Sequence, residues 1–108
     1  IDQVKQYIAY HVDEDLSIDK LAGKVYLSQG YLSYIFKKET GMNLSRYIKQ
    51  CRMEKAKELL KGTNMKIVQI CERVGFSNVS YFCQSFREYC GMSPDKYRKG
   101  EAEYEEVD

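Results

Sequence analysis

Apolar residues recur every three or four positions along almost the whole chain, and no stretch alternates with a period of two. That spacing predicts an all-α fold. Seven helices are expected. The first covers about Asp2 to Val12, with Ile1, Val4, Ile8 and Val12 on one stripe. Ser17 caps a second, Ile18 to Lys24, and Ser28 a third, about Gln29 to Thr40, closed by Gly41. Asn43 caps a long fourth helix that runs to about Lys61 and stops at Gly62. Its apolar face is Leu44, Tyr47, Ile48, Cys51, Ala56, Leu59 and Leu60. Asn64 is the expected cap of a fifth, Met65 to Val74. A sixth spans about Asn78 to Tyr89 and closes at Gly91. Ser93 followed by Pro94 opens a short seventh to about Arg98. Side-chain oxygens at the caps, proline at a first helical position and glycine past a helix end are the signals used.

The pattern is written twice. At an offset of fifty, Tyr31, Phe36, Lys37, Gly41-Met42 and Tyr47 fall on Tyr81, Phe86, Arg87, Gly91-Met92 and Tyr97. Upstream the offset is forty-nine, and Ile18, Leu21, Val25 and Ser28 fall on Ile67, Ile70, Val74 and Ser77. A one-residue difference therefore sits between the serine and the tyrosine of each copy. Each copy reads as a short helix, a tight turn and a longer helix, which is a helix-turn-helix. A small residue must stand where the two helices touch, and Ala22 and Cys71 hold that place. Gly75 suits a turn that requires positive φ; the first copy has Tyr26 there. Leu27 and Phe76 are expected to plug the gap between the helices. The division that follows is residues 1–61 for a first unit that includes a connecting helix at 43–61, and residues 62–100 for a second.

Helical phase separates the faces of the two longer helices. Leu32, Ile35 and Phe36 form the expected buried side of the third, opposite Gly30, Ser33, Tyr34 and Lys37. Phe82, Phe86 and Tyr89 form that of the sixth, opposite Val79, Ser80, Cys83, Gln84 and Arg87. The core anchors Phe36 and Phe86 are identical while the outward residues differ. Two similar scaffolds reading different bases would have this pattern, and so would a duplicated scaffold whose surfaces drifted. The repeating target that suits two such units is the DNA major groove. Gln84 is the best direct reader, since its amide bonds an adenine edge in two places. Ser33 and Ser80 suit bases or phosphates, and Tyr34 a thymine methyl or a phosphate. Lys37 and Arg87 sit one turn further on and suit phosphates, as do the helix N-termini at Ser28 and Ser77.

Charge changes this picture only once its distribution is considered. The 108 residues carry 17 basic and 16 acidic side chains, net +1. Glu101 to Asp108 holds five acids and no base, and without it 17 basic residues face 11 acidic ones. That segment reads as a disordered acidic tail, and the remainder as a modestly basic domain. The four cysteines form no CxxC pair and there is one histidine. Zinc-finger spacing is therefore absent, and the cysteines read as reduced cytosolic thiols serving as small hydrophobes. No metal or other cofactor is expected. No apolar run is long enough to span a membrane. The chain opens inside a helical pattern without an initiator methionine, so it is expected to be the C-terminal part of a longer protein.

Gly75 to Arg98 (GFSNVSYFCQSFREYCGMSPDKYR), Tyr31 to Ile48 (YLSYIFKKETGMNLSRYI) and Arg52 to Leu60 (RMEKAKELL) together resemble the DNA-binding domain of the AraC/XylS-type bacterial transcription regulators. The resemblance covers nearly all of residues 1–100. It implies two helix-turn-helix subdomains joined by the fourth helix, with both reading helices in successive major-groove segments. It also implies base-facing roles for Gly30, Ser33 and Tyr34, then Val79, Ser80, Cys83 and Gln84. Family members often carry arginine at the positions of Tyr34 and Gln84, so weaker guanine reading and an A·T-leaning preference are implied here. An effector-binding or receiver domain in the full-length protein and contact with RNA polymerase are further implications.

An enzyme needs a nucleophile beside a base, a metal set or paired carboxylates. His11 has no evident partner in the sequence and reads as solvated, so an enzyme is not expected. The zinc-bound cysteine cluster of the alkylation-repair methyltransferases that also carry such a domain is absent. The remaining alternative is a helical protein-interaction module that does not read DNA.

Overall fold

The computed structural model of the chain describes residues 1–14 and 16–100. Among these residues there are seven helices and no strand: α1 (Asp2–Tyr10), α2 (Ile18–Lys24), α3 (Gln29–Thr40), α4 (Leu44–Gly62), α5 (Ile67–Arg73), α6 (Val79–Cys90) and α7 (Pro94–Lys99). The expected acidic tail, Glu101 to Asp108, lies outside the described residues. The chain divides into two compact units, Ile1–Cys51 and the part from Arg52 onward. The boundary falls inside α4, upstream of the 61/62 boundary read from the sequence. Leu44 and Ile48 pack into the first core, while Met53, Ala56 and Leu60 pack into the second. Met53, fully buried, was absent from the expected apolar face of this helix.

Most helix starts follow the expected chemistry. The side chains of Ser17, Ser28, Asn43 and Ser93 accept from the backbone N–H groups of Lys20, Tyr31, Arg46 and Lys96, each satisfying a donor that the first helical turn leaves unpaired. Three ends differ. The first helix stops at Tyr10, and Val12 is buried beyond it. The fifth begins at Ile67 with Lys66 as its cap position, not at Asn64, because the Gln69 side chain reaches back to accept from the Lys66 N–H at 3.0 Å. Gly62 belongs to α4 and does not stop it in a left-handed turn. The carbonyls at that end are taken instead by Arg98, whose guanidinium donates to Leu60 at 3.0 Å and Thr63 at 3.2 Å, while the Thr63 hydroxyl donates to Leu59 at 2.6 Å.

The first core gathers Val4, Ile8, Leu16, Leu21, Ala22, Leu32, Phe36, Leu44 and Ile48. The second gathers Met53, Ala56, Leu60, Ile70, Cys71, Val74, Phe76, Phe82 and Phe86. Each repeats one aromatic lock. Phe36 meets Tyr47 edge-on at 5.2 Å between centroids, and Phe86 meets Tyr97 edge-on at 5.5 Å. Each tyrosine is also flanked by ammonium groups, Lys5 over Tyr47 and Lys61 with Lys57 over Tyr97, a favourable placement over the ring face. Tyr89, expected inside, is 40% exposed. Its hydroxyl donates to the Glu54 carboxylate, and this bond together with Lys57 holds the Glu54 carboxyl below its ordinary range. His11, expected without a partner, pairs through Nδ1 with the Glu14 carboxylate and stacks on Tyr7 at 4.1 Å.

The two tight turns are the same turn. Leu27 N–H donates to the Ala22 carbonyl at 3.0 Å, and Phe76 N–H to the Cys71 carbonyl at 2.9 Å. Tyr26 has φ +58° and Gly75 φ +89°, so the first copy adopts the glycine-like shape with a tyrosine in it. A side chain there crowds the following carbonyl, and Tyr26, 94% exposed, has almost no packing to offset that strain. Tyr26→Gly is expected to stabilise the chain by roughly 0.5–1 kcal/mol, the relief of strain exceeding the added chain entropy. A melting temperature that falls would show that Tyr26 is held by something other than its turn.

Candidate nucleic-acid interface

Of the two longer helices, α3 begins where expected and α6 does not. Ser28 caps α3, but the counterpart in α6 is Asn78, whose Oδ1 accepts from Tyr81 N–H at 2.8 Å. The offset of fifty therefore starts at the cap. The one-residue difference is Ser77, placed between Phe76 and the cap, so Ser77 lies one residue outside the helix it was expected to begin. Both helices close alike, with Gly41 and Gly91 N–H donating to Lys37 and Arg87 carbonyls at 2.8 Å.

The expected plugs of the two turns behave differently. Phe76 is buried and its ring meets Tyr81 at 5.7 Å and Phe82 at 5.3 Å. Leu27 is exposed and does not plug its gap, and in this unit the ring of Tyr31, the counterpart of Tyr81, lies 6.4 Å from that of Tyr34. The small residues at the helix contact, Ala22 and Cys71, are buried as expected. Cys71 adds a thiol bond to the Phe76 carbonyl at 3.4 Å.

On α3, Phe36 and Leu32 are fully buried and Ile35 half-buried. Gly30, Tyr34 and Lys37 are exposed, and Ser33 is half-buried. A Cβ at Gly30 would meet nothing within 4 Å, so this end of the helix is bare. On α6, Phe82, Phe86 and Ser85 are buried, while Val79, Ser80, Gln84 and Arg87 are exposed. Cys83 is half-buried against the second core, and burial pushes its thiol pKa up, so it stands in the row as a neutral thiol. Ser28 and Ser77 are exposed, the first with its hydroxyl engaged as a cap. A link that the sequence did not single out is Gln29 Nε2 donating to Asp19 Oδ1 at 2.9 Å. It ties the first turn of α3 to the first turn of α2 within one unit. Gln29 follows a cap and Asp19 follows Ser17, but nothing in helical periodicity pairs them across a turn.

Each unit thus holds a capped helix against a short one, with one row of side chains in the core and another free to meet a ligand. The free rows hold neutral donors and acceptors followed by a cation, Lys37 or Arg87. Such a row can meet base edges first and phosphate a turn later. Among the described residues no cluster of His, Cys, Asp or Glu is placed to hold a metal ion, and no helix is long and apolar enough to cross a membrane.

Two helix-turn-helix units of this kind define a double helix-turn-helix module. The helix-turn-helix domain family matches residues 21–100. The multiple antibiotic resistance protein MarA of Salmonella typhimurium is 32% identical over 108 residues, covering 96% of this chain and 85% of that protein. The Msm operon regulatory protein of Streptococcus mutans is 37% identical over 99 residues, covering 92% of this chain and 36% of that protein. The C-terminal domain of the two-component response regulator yesN from Fusobacterium nucleatum shares the fold with a TM-score of 0.85 at 39% identity, covering 90% of this chain and 95% of that one. The chain belongs to the AraC-type helix-turn-helix family of bacterial DNA-binding transcription regulators. It spans about a third of the length of the Msm regulator, and its curated relatives are regulators of transcription.

Proposed function

We propose that residues 1–100 bind double-stranded DNA sequence-specifically, with α3 and α6 each entering a major groove, and that this binding regulates transcription in the bacterial cytoplasm. The observation that carries the reading is the pair of equivalent helices. They share one cap position, one core phenylalanine and one closing glycine, and they carry different residues at equivalent sites of the outward row: Gly30, Ser33 and Tyr34 against Ser80, Cys83 and Gln84. In this proposal Gln84 is the main hydrogen-bonding reader, with Val79, Ser80 and Cys83 shaping its surroundings. Ser28, Lys37, Ser77 and Arg87 meet phosphates. The two contact blocks on the DNA lie about 10 base pairs apart, one helical turn. An effector or receiver domain elsewhere in the full-length protein, and a contact with RNA polymerase, belong to the same proposal.

Selection of bound sequences from a random duplex pool tests binding, specificity and spacing together. Two variants then divide the contacts. Gln84→Ala is expected to change the selected base in one block, where a bidentate amide discriminates by about 1–3 kcal/mol. Arg87→Ala is expected to weaken all sequences alike and to lower the salt slope by about one phosphate. Selection of the same sequence by Gln84→Ala would remove Gln84 from the readers. Binding that ignores salt would favour a protein-interaction module instead.

A further inference from the structure

The two reading rows differ in chemistry as well as in sequence. On α6 the row carries the exposed amide of Gln84, and the ring of Tyr81 lies against Phe76. On α3 the nearest amide, that of Gln29, is engaged with Asp19. The residue equivalent to Gln84 is Tyr34, 59% exposed. Its ring stands 6.4 Å from that of Tyr31, tilted 38°, and the Lys38 ammonium lies 5.8 Å from its centroid. Tyr31, at 50% exposure, is one turn before Tyr34 and Lys38 one turn after, so the ring is braced at both ends of its row. One turn earlier Gly30 puts no side chain in the way. The result is a protruding, supported aromatic surface on a helix whose reading positions offer no amide or guanidinium.

In the major groove the apolar feature that identifies a base is the C5-methyl group of thymine. A methylated cytosine carries the same group at the same place. An aromatic ring held in position desolvates that methyl at little cost in side-chain entropy, since a tyrosine has few rotatable bonds to fix. We infer that Tyr34, braced by Tyr31 and Lys38, is a specificity-determining residue that recognises the C5-methyl group of a major-groove pyrimidine. The half-site under α3 is then chosen by methyl groups, of thymine or of 5-methylcytosine, and not by hydrogen-bond pairing. The inference rests on the DNA reading proposed above.

The test uses the 108-residue chain and the duplex it selects from a random pool. Each thymine of the site is exchanged in turn for deoxyuridine, which removes only the methyl group, and affinity is read by fluorescence anisotropy. One or two exchanges in one block are expected to weaken binding about three- to fivefold, the worth of one buried methyl. At the same position 5-methylcytosine is expected to bind better than cytosine by a similar factor, which separates methyl reading from a preference for A·T shape. Tyr34→Phe is expected to keep both differences, and Tyr34→Ala, a change at an exposed site, to erase them while the melting temperature holds. Uracil and thymine binding alike throughout the site would overturn the inference and leave DNA reading intact. So would a methyl preference that survives in Tyr34→Ala, or one lost in Tyr34→Phe, which would assign the ring's role to its hydroxyl. Failure to select any sequence would overturn the DNA reading and the inference with it.

Discussion

Phe86→Ala is expected to destabilise the second unit by roughly 3–5 kcal/mol, the range for emptying a buried aromatic site. Phe86 is fully buried, and its ring lies 6.0 Å from Phe82 and 5.5 Å from Tyr97. Its removal therefore leaves a cavity and takes away two aromatic contacts at once. Domains of this size are stable by only about 5–15 kcal/mol, so the loss is a large part of the whole. Tyr97 joins α7 to this core, and the Arg98 bonds to the end of α4 come from the same short helix. Those ties are expected to loosen with it. Urea or thermal unfolding followed by circular dichroism measures the effect. Phe36→Ala should do the same to the first unit, where Phe36 faces Tyr47. An unchanged melting temperature for either variant would mean that the helical phase assigned to its helix is wrong.

The duplication was readable because it rests on local chemistry. Caps such as Ser17, Ser28, Asn43 and Ser93 act on backbone groups three residues away, so their meaning is contained in a few letters. Phe36 and Phe86 were readable because the core face repeats with the helical period. Ala22, Cys71 and Phe76 were readable from the turn pattern, but most other contacts made across a turn or between helices required the structure. Asn64 has the right chemistry for a cap, but the capping contact at α5 comes from Gln69 inside the helix. Tyr89 looks apolar to a periodicity argument, yet its hydroxyl finds Glu54, far away in sequence. The apolar face of α4 is continuous in the letters, and nothing in a 3.6-residue period says that one half serves one core and the other half a second.

The same limit applies to the candidate interface. Helical phase placed Gly30, Tyr34, Gln84 and Arg87 on the outside, and they are exposed. It placed Cys83 with them, but a residue at the edge of a row is decided by its neighbours, and Cys83 leans on the second core. Leu27 and Phe76 hold equivalent turn positions, yet only the phenylalanine is long enough to engage two other rings. That difference releases Tyr31 toward Tyr34 in one unit and holds Tyr81 against Phe76 in the other. Both tyrosines remain about half exposed, so the two units differ in what each ring lies against and not in whether it is accessible.

At the contact between the short and long helices of the first unit, stability and the proposed base reading are expected to be coupled. Ala22 is buried there, and its carbonyl accepts from both Val25 N–H at 3.2 Å and Leu27 N–H at 3.0 Å, closing the turn. Ala22→Leu puts three more carbons into this contact. Overpacking of a well-packed site costs about 1–3 kcal/mol, and the added volume is accommodated either by opening the turn or by shifting α3. The shift has a second consequence, because base contacts tolerate displacement poorly while phosphate contacts are longer-ranged and less directional. Specific affinity is therefore expected to fall more than affinity for unrelated duplex, and the ratio of the two is the quantity to measure. Ala22→Gly is the control. It weakens α2 by about 1 kcal/mol through backbone entropy, but it adds no volume, so the melting temperature should drop while the ratio holds. If Ala22→Leu keeps both its melting temperature and its sequence preference, the two helices are not in the close contact drawn between them, and α3 is positioned by something else.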